Sequence, residues 1–415
     1  MAESGKNEPL SKFNNVMARI FPLVADQNKM QKFVDDYLNN HPYSGGNYFR
    51  VAMPLVFMEL LDYGSMSGRI TGNAYTSQNE LLFMIVLEWY EKCSTGSFQF
   101  NGERYRRHKE QNALVTPFIF VDNPLSVMMG RESFGWPKSL INVKPVSPGW
   151  APDAGDSTTI MRIGAMRLRQ FYEGQSHRFS TILEIEKRAG YSDGTTGVSL
   201  DPLKAWSKWW SDSLSSYDSL VQQWRKIMDV QGAGTRMMMQ MMEQYRQTLG
   251  GNTMGPGSIT SWFASLSNSV GVKHFRHADD PNKTCFAALA SMQTSVTRMY
   301  GGGLLGSAES QLTRLDGGFT IRAHRYEAYP ALDKLGIVVT RTEQPDQEGN
   351  PPVDVLTPLM PFWYRMDFTL PSTNPLGTEV HHTVLEHKLD EKQLPDYGPE
   401  AMFASGKHIE AGGAS

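Results

Sequence analysis

Two stretches of the chain, residues 48–61 and 79–89, are dense in Val, Phe, Leu and Met, and a segment rich in Gly, Ser and Asn separates them. That punctuation predicts two strands joined by a turn-rich loop. Residues 113–121 read as a further strand, and 158–168 and 179–186 as a pair. Later strands are expected at 319–324 and 335–340, and 362–370 closes the ordered region. Between 28 and 38 the period changes: Met30, Phe33, Val34 and Leu38 recur at helical spacing, and the pattern stops before His41-Pro42. Short strands set off by Gly and Pro, with few long helices among them, predict an α+β, mainly antiparallel β chain built as a barrel or a sandwich.

One segment breaks the β pattern. Asp201-Pro202 is a helix start, because Asp can cap the free amides and Pro suits the first helical position. Leu203, Trp206, Trp210, Leu214, Tyr217, Leu220, Val221, Trp224 and Met228 then form one apolar stripe, and Gly232-Ala233-Gly234 ends it. A second helical stretch carries Met237, Met238, Met239, Met241 and Met242 before Gly250-Gly251. Residues 201–250 therefore read as an inserted helical hairpin, whose Trp and Met surface must meet another subunit, a partner or the rest of the chain.

Composition narrows the function classes. At 40% hydrophobic and 20% charged residues a large core is available, and a formal charge of -3 argues against nucleic acid or an acidic membrane as partner. The basic knot Arg104-Tyr105-Arg106-Arg107-His108-Lys109 is flanked by Glu103 and Glu110 and reads as a solvated loop tip. Only Cys93 and Cys285 occur, far apart and without metal-ligand spacing, which fits a reducing compartment and a cytoplasmic protein. The start is polar, and no apolar run approaches the roughly 18 residues of a spanning helix, so a soluble chain is expected. The histidines at 274, 277, 381, 382 and 387 make no convincing metal pattern, and no metal or other cofactor is expected.

The segment that carries candidate chemistry is Val121-Asp122-Asn123-Pro124-Leu125-Ser126-Val127-Met128-Met129-Gly130-Arg131-Glu132-Ser133-Phe134-Gly135-Trp136-Pro137-Lys138. It sets a lysine directly behind a Gly/aromatic/Pro turn. A lysine amine is a nucleophile only when neutral, which at an ordinary pKa holds for about one molecule in 2,500 at pH 7. Apolar surroundings or a neighbouring cation raise that fraction. Phe134 and Trp136 supply the first, and Arg131 is a cation nearby in sequence.

The Gly130-Arg131-Glu132 start and Trp136-Pro137-Lys138 end of this segment resemble the signature of the acetoacetate decarboxylase superfamily. The resemblance implies that Lys138 is the Schiff-base lysine. A second lysine usually follows the first in that family, and Ser139 stands here instead. The resemblance further nominates two upstream glutamates: Phe57-Met58-Glu59-Leu60 and Asn79-Glu80-Leu81-Leu82 match their places. A carboxyl flanked by Phe, Met and Leu is pushed by burial toward a proton-shuttling range. Glu132 is expected to anchor the turn, and Arg19 or Arg50 to position a glutamate. Val272-Lys273-His274-Phe275-Arg276 with Thr284-Cys285-Phe286-Ala287-Ala288-Leu289 resembles a strand pair of the longer bacterial members.

The implied fold is an acetoacetate decarboxylase-like β-barrel with an inserted helical hairpin. On this reading 1–12 is a disordered lead, 13–200 the first part of the barrel with the lysine motif, 201–270 the helical insertion and loop, 271–394 the second part, and 395–415 a disordered tail. The implied function is a Schiff-base lyase of a homo-oligomer, decarboxylating a small-molecule β-keto acid or running aldol or dehydration chemistry through the same imine. The alternative is a non-catalytic ligand-binding or scaffold protein that uses the hairpin for partner contacts.

Overall fold

The computed structural model describes residues 11–40, 44, 46–68, 75–145, 159–167, 178–187, 268–276, 284–305, 318–326, 329–344, 351–359, 361–370 and 381–383. The segment expected to form the hairpin, and both expected disordered ends apart from residues 11 and 12, lie outside them.

In chain order the strands are β1 (Ser11–Val24), β2 (Asn47–Gly68), β3 (Thr76–Lys92), β4 (Phe98–Phe100), β5 (Glu103–Val121), β6 (Lys138–Pro145), β7 (Thr159–Arg167), β8 (Arg178–Lys187), β9 (Asn268–Arg276), β10 (Thr284–Gln293), β11 (Ser295–Leu304), β12 (Phe319–His324), β13 (Arg341–Glu343), β14 (Val353–Leu356), β15 (Phe362–Leu370) and β16 (His381–Thr383). They make one sheet whose main path runs β11-β15-β1-β2-β3-β5-β6-β7-β8-β12-β14-β13. Pairing is antiparallel except where β5 meets β6 and β9. The expected β7–β8 pair forms, as does the β9–β10 pair, each antiparallel and interrupted by register shifts.

Both faces of the central strands are covered, which is why they read as near-continuous apolar runs. Phe21, Leu23, Met58, Leu60, Leu81, Phe83, Phe118 and Phe120 belong to the larger core on one face. Ile20, Leu61, Tyr63, Leu82, Ile119 and Val121 belong to a second core on the other. Helix α1 (Gln27–Val34) closes over the larger core with Met30, Phe33 and Val34. Asp26 caps it, accepting hydrogen bonds from the amides of Asn28 (2.8 Å) and Lys29 (3.2 Å). A π-helical turn over Asp35–Asn39 continues it and buries Tyr37 and Leu38.

The structure corrects the sequence reading in several places. Among the described residues the sheet is open and not a closed barrel: β15 takes β11 on its outer side, β12 runs on to β14 and β13, and the two ends of the path do not pair. Residues 335–340 are not a strand. Helix α3 (Ala331–Leu335) ends there on Gly336, whose φ of 66° stops it in the left-handed region. A Cβ at Gly336 would stand 2.9 Å from those of Asp26 and Lys29, so this turn packs directly onto the start of α1.

The basic knot is not a loop tip either. It lies in β5, where Arg106 and Arg107 are paired with Glu91 (2.7 Å) and Glu88 (3.0 Å) across the ladder. Tyr105 and His108 are buried, and His108 stacks on Trp89 with ring centroids 3.9 Å apart. Finally, β1 begins within the expected lead and runs to Val24, with a register shift against β15 between Phe13 and Val16, where Asn15 has a φ of 54°. Among the described residues no helix is long and apolar enough to cross a membrane.

Candidate active site

Strand register assembles the site. Directly opposed residues share a face, so the row Ile20–Glu59–Leu82–Ile119–Lys138 crosses β1, β2, β3, β5 and β6 on one side of the sheet. The neighbouring row on that side is Tyr364–Ala18–Leu61–Glu80–Val121–Leu140, and the next contains Met366, Val16, Tyr63 and Gln78. At about 4.8 Å per strand, the backbones of Glu59 and Lys138 stand roughly 14 Å apart. Glu80 occupies the ground between them.

Lys138 is 4% exposed. Its Nζ donates to Oε2 of Glu80 at 2.9 Å and to Oγ of Ser126 at 3.0 Å, and lies 5.2 Å from the centre of the Trp136 ring. Glu80 also accepts from the Tyr63 hydroxyl (3.3 Å) and from Nε2 of Gln78 (3.0 Å). Glu59 accepts from the Tyr364 hydroxyl at 2.7 Å. Burial pushes the Glu59 carboxyl up to about 7, against the lowering effect of that hydrogen bond, and the charge of Glu80 adds to the rise. Burial likewise lifts both phenols well above their ordinary value, helped by the adjacent carboxylates, so Tyr63 and Tyr364 stay donors.

The segment before Lys138 explains how the amine is aimed. After β5, Asn123 caps helix α2 (Pro124–Met129) by accepting from the amides of Leu125 (3.0 Å) and Ser126 (3.2 Å), with Pro124 in the first turn. Asp122 accepts from Asn79 through both its backbone amide (2.7 Å) and its side chain (2.8 Å), which ties the helix start to β3 beside Glu80. A π-helical turn, Gly130–Phe134, follows and stops at Gly135, whose φ is 71°. Ser126 and Gly130 are one turn apart and both meet the lysine. A Cβ at Gly130 would stand 2.5 Å from Lys138 Cδ and 2.8 Å from Cε. The side chain of Lys138 therefore runs over a bare glycine, a spacing of eight residues that the Gly-Arg-Glu…Pro-Lys pattern encodes.

The structure brings Lys138, Glu59, Glu80 and Trp136 together in the wall of one cavity of about 240 Å³. Among the described side chains, Arg131, Ser139, Arg19 and Arg50 do not line that wall. Arg131 is exposed, and the side chain of Glu132 lies outside those described. Ser139 is in register with Phe120 and Arg19 with Leu60, both on the opposite face. Arg50 is ion-paired with Glu88. Sequence reasoning passed over Ser126, Tyr63, Gln78 and Tyr364. Counting by twos from Glu59 and Glu80 finds Tyr63 and Gln78, and reading Asn123-Pro124 as a helix start finds Ser126 one turn before Gly130. Tyr364 has no local signal.

Chemically, the group offers a buried amine hydrogen-bonded to one carboxylate, and a second carboxyl that can give or accept a proton near neutral pH. Among the described residues no three of His, Cys, Asp and Glu stand close enough to hold a metal ion.

No family model matches the chain, and no curated protein matches it. Among solved structures it is similar to an acetoacetate decarboxylase from Legionella pneumophila, at 12% identity and a TM-score of 0.44 over 88% of this chain and 86% of that one. It is also similar to a second acetoacetate decarboxylase structure, at 12% identity and 0.42 over 92% and 98%. A third is an acetoacetate decarboxylase-like enzyme from Sphingomonas wittichii, at 12% identity and 0.33 over 88% and 95%.

Proposed function

We propose that the chain is a Schiff-base-forming carbon–carbon lyase acting on a keto acid, with Lys138 as its nucleophile. The observation that carries this reading is a lysine 4% exposed, held 2.9 Å from Glu80 in the cavity that also holds Glu59. Two buried carboxyls beside one buried amine are more than an ion pair needs, and they match what imine chemistry asks for.

The sequence of events follows from proton positions. Nζ passes a proton to Oε2 of Glu80, and the free amine attacks the ketone carbon. The carbonyl oxygen leaves as water, taking one proton back from Glu80 and one from the attacking nitrogen, and a protonated imine remains. The bond to the substrate carboxylate then breaks, its electron pair moves onto the imine nitrogen, and CO2 departs from an enamine. Glu59, pushed up to about 7, is suited to protonate the enamine carbon. Water then releases the ketone and restores Lys138. Aldol cleavage or dehydration would use the same imine with a different leaving group, and none of these steps needs a metal or an organic cofactor.

Borohydride reduction in the presence of a panel of keto acids, followed by peptide mapping, tests the reading. The expected adduct is on Lys138 alone. An adduct on another lysine, or none with any keto acid, would falsify it.

A further inference from the structure

The cavity around Lys138 does not end at the lysine. Its wall continues along β3, where Gln78, Glu80, Leu82, Met84 and Val86 line it at every second position. The polar groups that reach Lys138 or Glu80 from β2 and β3, Tyr63 and Gln78, sit at one end. Beyond the row that holds Glu59, Leu82 and Lys138, the β3 wall continues with Met84 and Val86 and is apolar for about 13 Å of strand, with Thr116 and Ser269 of the neighbouring strands also in the lining. Phe57 stands beside Met84 and Leu114 beside Val86 in register, so the arm has apolar walls across three strands. Phe57, Met84 and Leu114 are only half-buried; Phe57 and Leu114 flank the buried cluster of Met53, Leu55, Val86 and Leu359, and Met84 packs against the core that holds Ile20 and Leu82.

We propose that this arm receives an apolar chain of the substrate. The site would then take keto acids with a linear alkyl chain on the far side of the keto group, in preference to three- and four-carbon keto acids. The position of the keto group rests on the Schiff-base reading, and the chain preference rests on the arm. The substrate carboxylate is directed to the other end, because an unpaired carboxylate among Met84, Val86 and Leu114 would lose its hydration with nothing in return. At that other end the wall turns polar, with Ser67, Thr76 and Gln78.

The test is a homologous series of straight-chain β-keto acids from four to twelve carbons. Adducts on Lys138 are read after borohydride, and binding of the matching neutral methyl ketones is read separately by calorimetry without borohydride. Affinity for the ketones is expected to rise about fourfold per added methylene until the arm is full, which corresponds to the ~0.8 kcal/mol of a buried methylene. Met84→Trp should make the rise stop at a shorter chain; if that variant does not fold, the series on the native chain still decides. A flat or falling series with adducts still on Lys138 overturns the arm while sparing the lysine chemistry. A rising series without any adduct upholds the arm and overturns the Schiff-base reading.

Discussion

Glu59→Gln removes one ionisable proton from the site while keeping its shape and an oxygen that can accept from Tyr364. In the native fold burial raises this carboxyl from its ordinary 4.5 to about 7. The sign of the linkage follows directly. Below pH 4.5 the group is neutral folded and unfolded, and its contribution is fully present. Between 4.5 and about 7 the unfolded chain ionises first, so unfolding releases a proton and stability falls as pH rises. Above about 7 the native carboxylate is charged as well, and the loss levels off. At ~1.36 kcal/mol per pH unit the whole loss is roughly 3 kcal/mol. Urea unfolding of both proteins at pH 4.5, 5.5, 6.5 and 7.5 measures it, and the difference between them cancels every other titrating group. The Gln variant should gain on the native chain by roughly 3 kcal/mol across that range, with most of the gain above pH 5. A difference independent of pH would show that Glu59 keeps an ordinary pKa and that its surroundings are wetter than 3% exposure suggests.

Two further outcomes test how the lysine is held. Gly130→Ala places a methyl 2.5 Å from Lys138 Cδ, so the side chain must leave its track; borohydride trapping should fall by tenfold or more, with a stability loss of about 1–3 kcal/mol in denaturant unfolding. Trapping at the native rate would refute the close approach. Ser139→Lys restores the paired lysines of the resembling family but on the far side of the strand, so the pH midpoint of trapping should move by less than about 1.5, or roughly 2 kcal/mol. A larger fall would show that the adjacent cation acts through the backbone and that its loss weakens the native site.

Much of the sheet was legible because both of its faces are buried, so β2, β3 and the end of β5 stand out as apolar runs whatever their register. Polar positions hid β1: Lys12, Asn14, Asn15 and Arg19 interrupt it, and only pairing with β2 and β15 on both sides makes it a strand. Helix α2 was hidden for the opposite reason. Leu125, Val127, Met128 and Met129 suit a strand as well as a helix, and the deciding signal is the cap at Asn123. Residues 335–340 misled because Leu335, Ile337, Val338 and Val339 are apolar, while one left-handed glycine sets their path. At the site, Lys138 and both glutamates could be nominated because each has a local context. Their hydrogen-bond partners could not, since Tyr63 and Gln78 follow from alternation only after the strand face is known.

The bond from Tyr364 to Glu59 joins residues 305 positions apart, and β15, which carries the tyrosine, also covers the outer edge of β1. At about 5–20 residues per second of synthesis, the chain between them takes on the order of 15–60 s to emerge. For that interval β1 has its β2 ladder but a bare outer edge, and the Glu59 pocket lacks its hydroxyl donor. The N-terminal sheet is thus born with an unpaired strand edge, the kind of surface that attracts another chain. The last long strand among the described residues is what retires it.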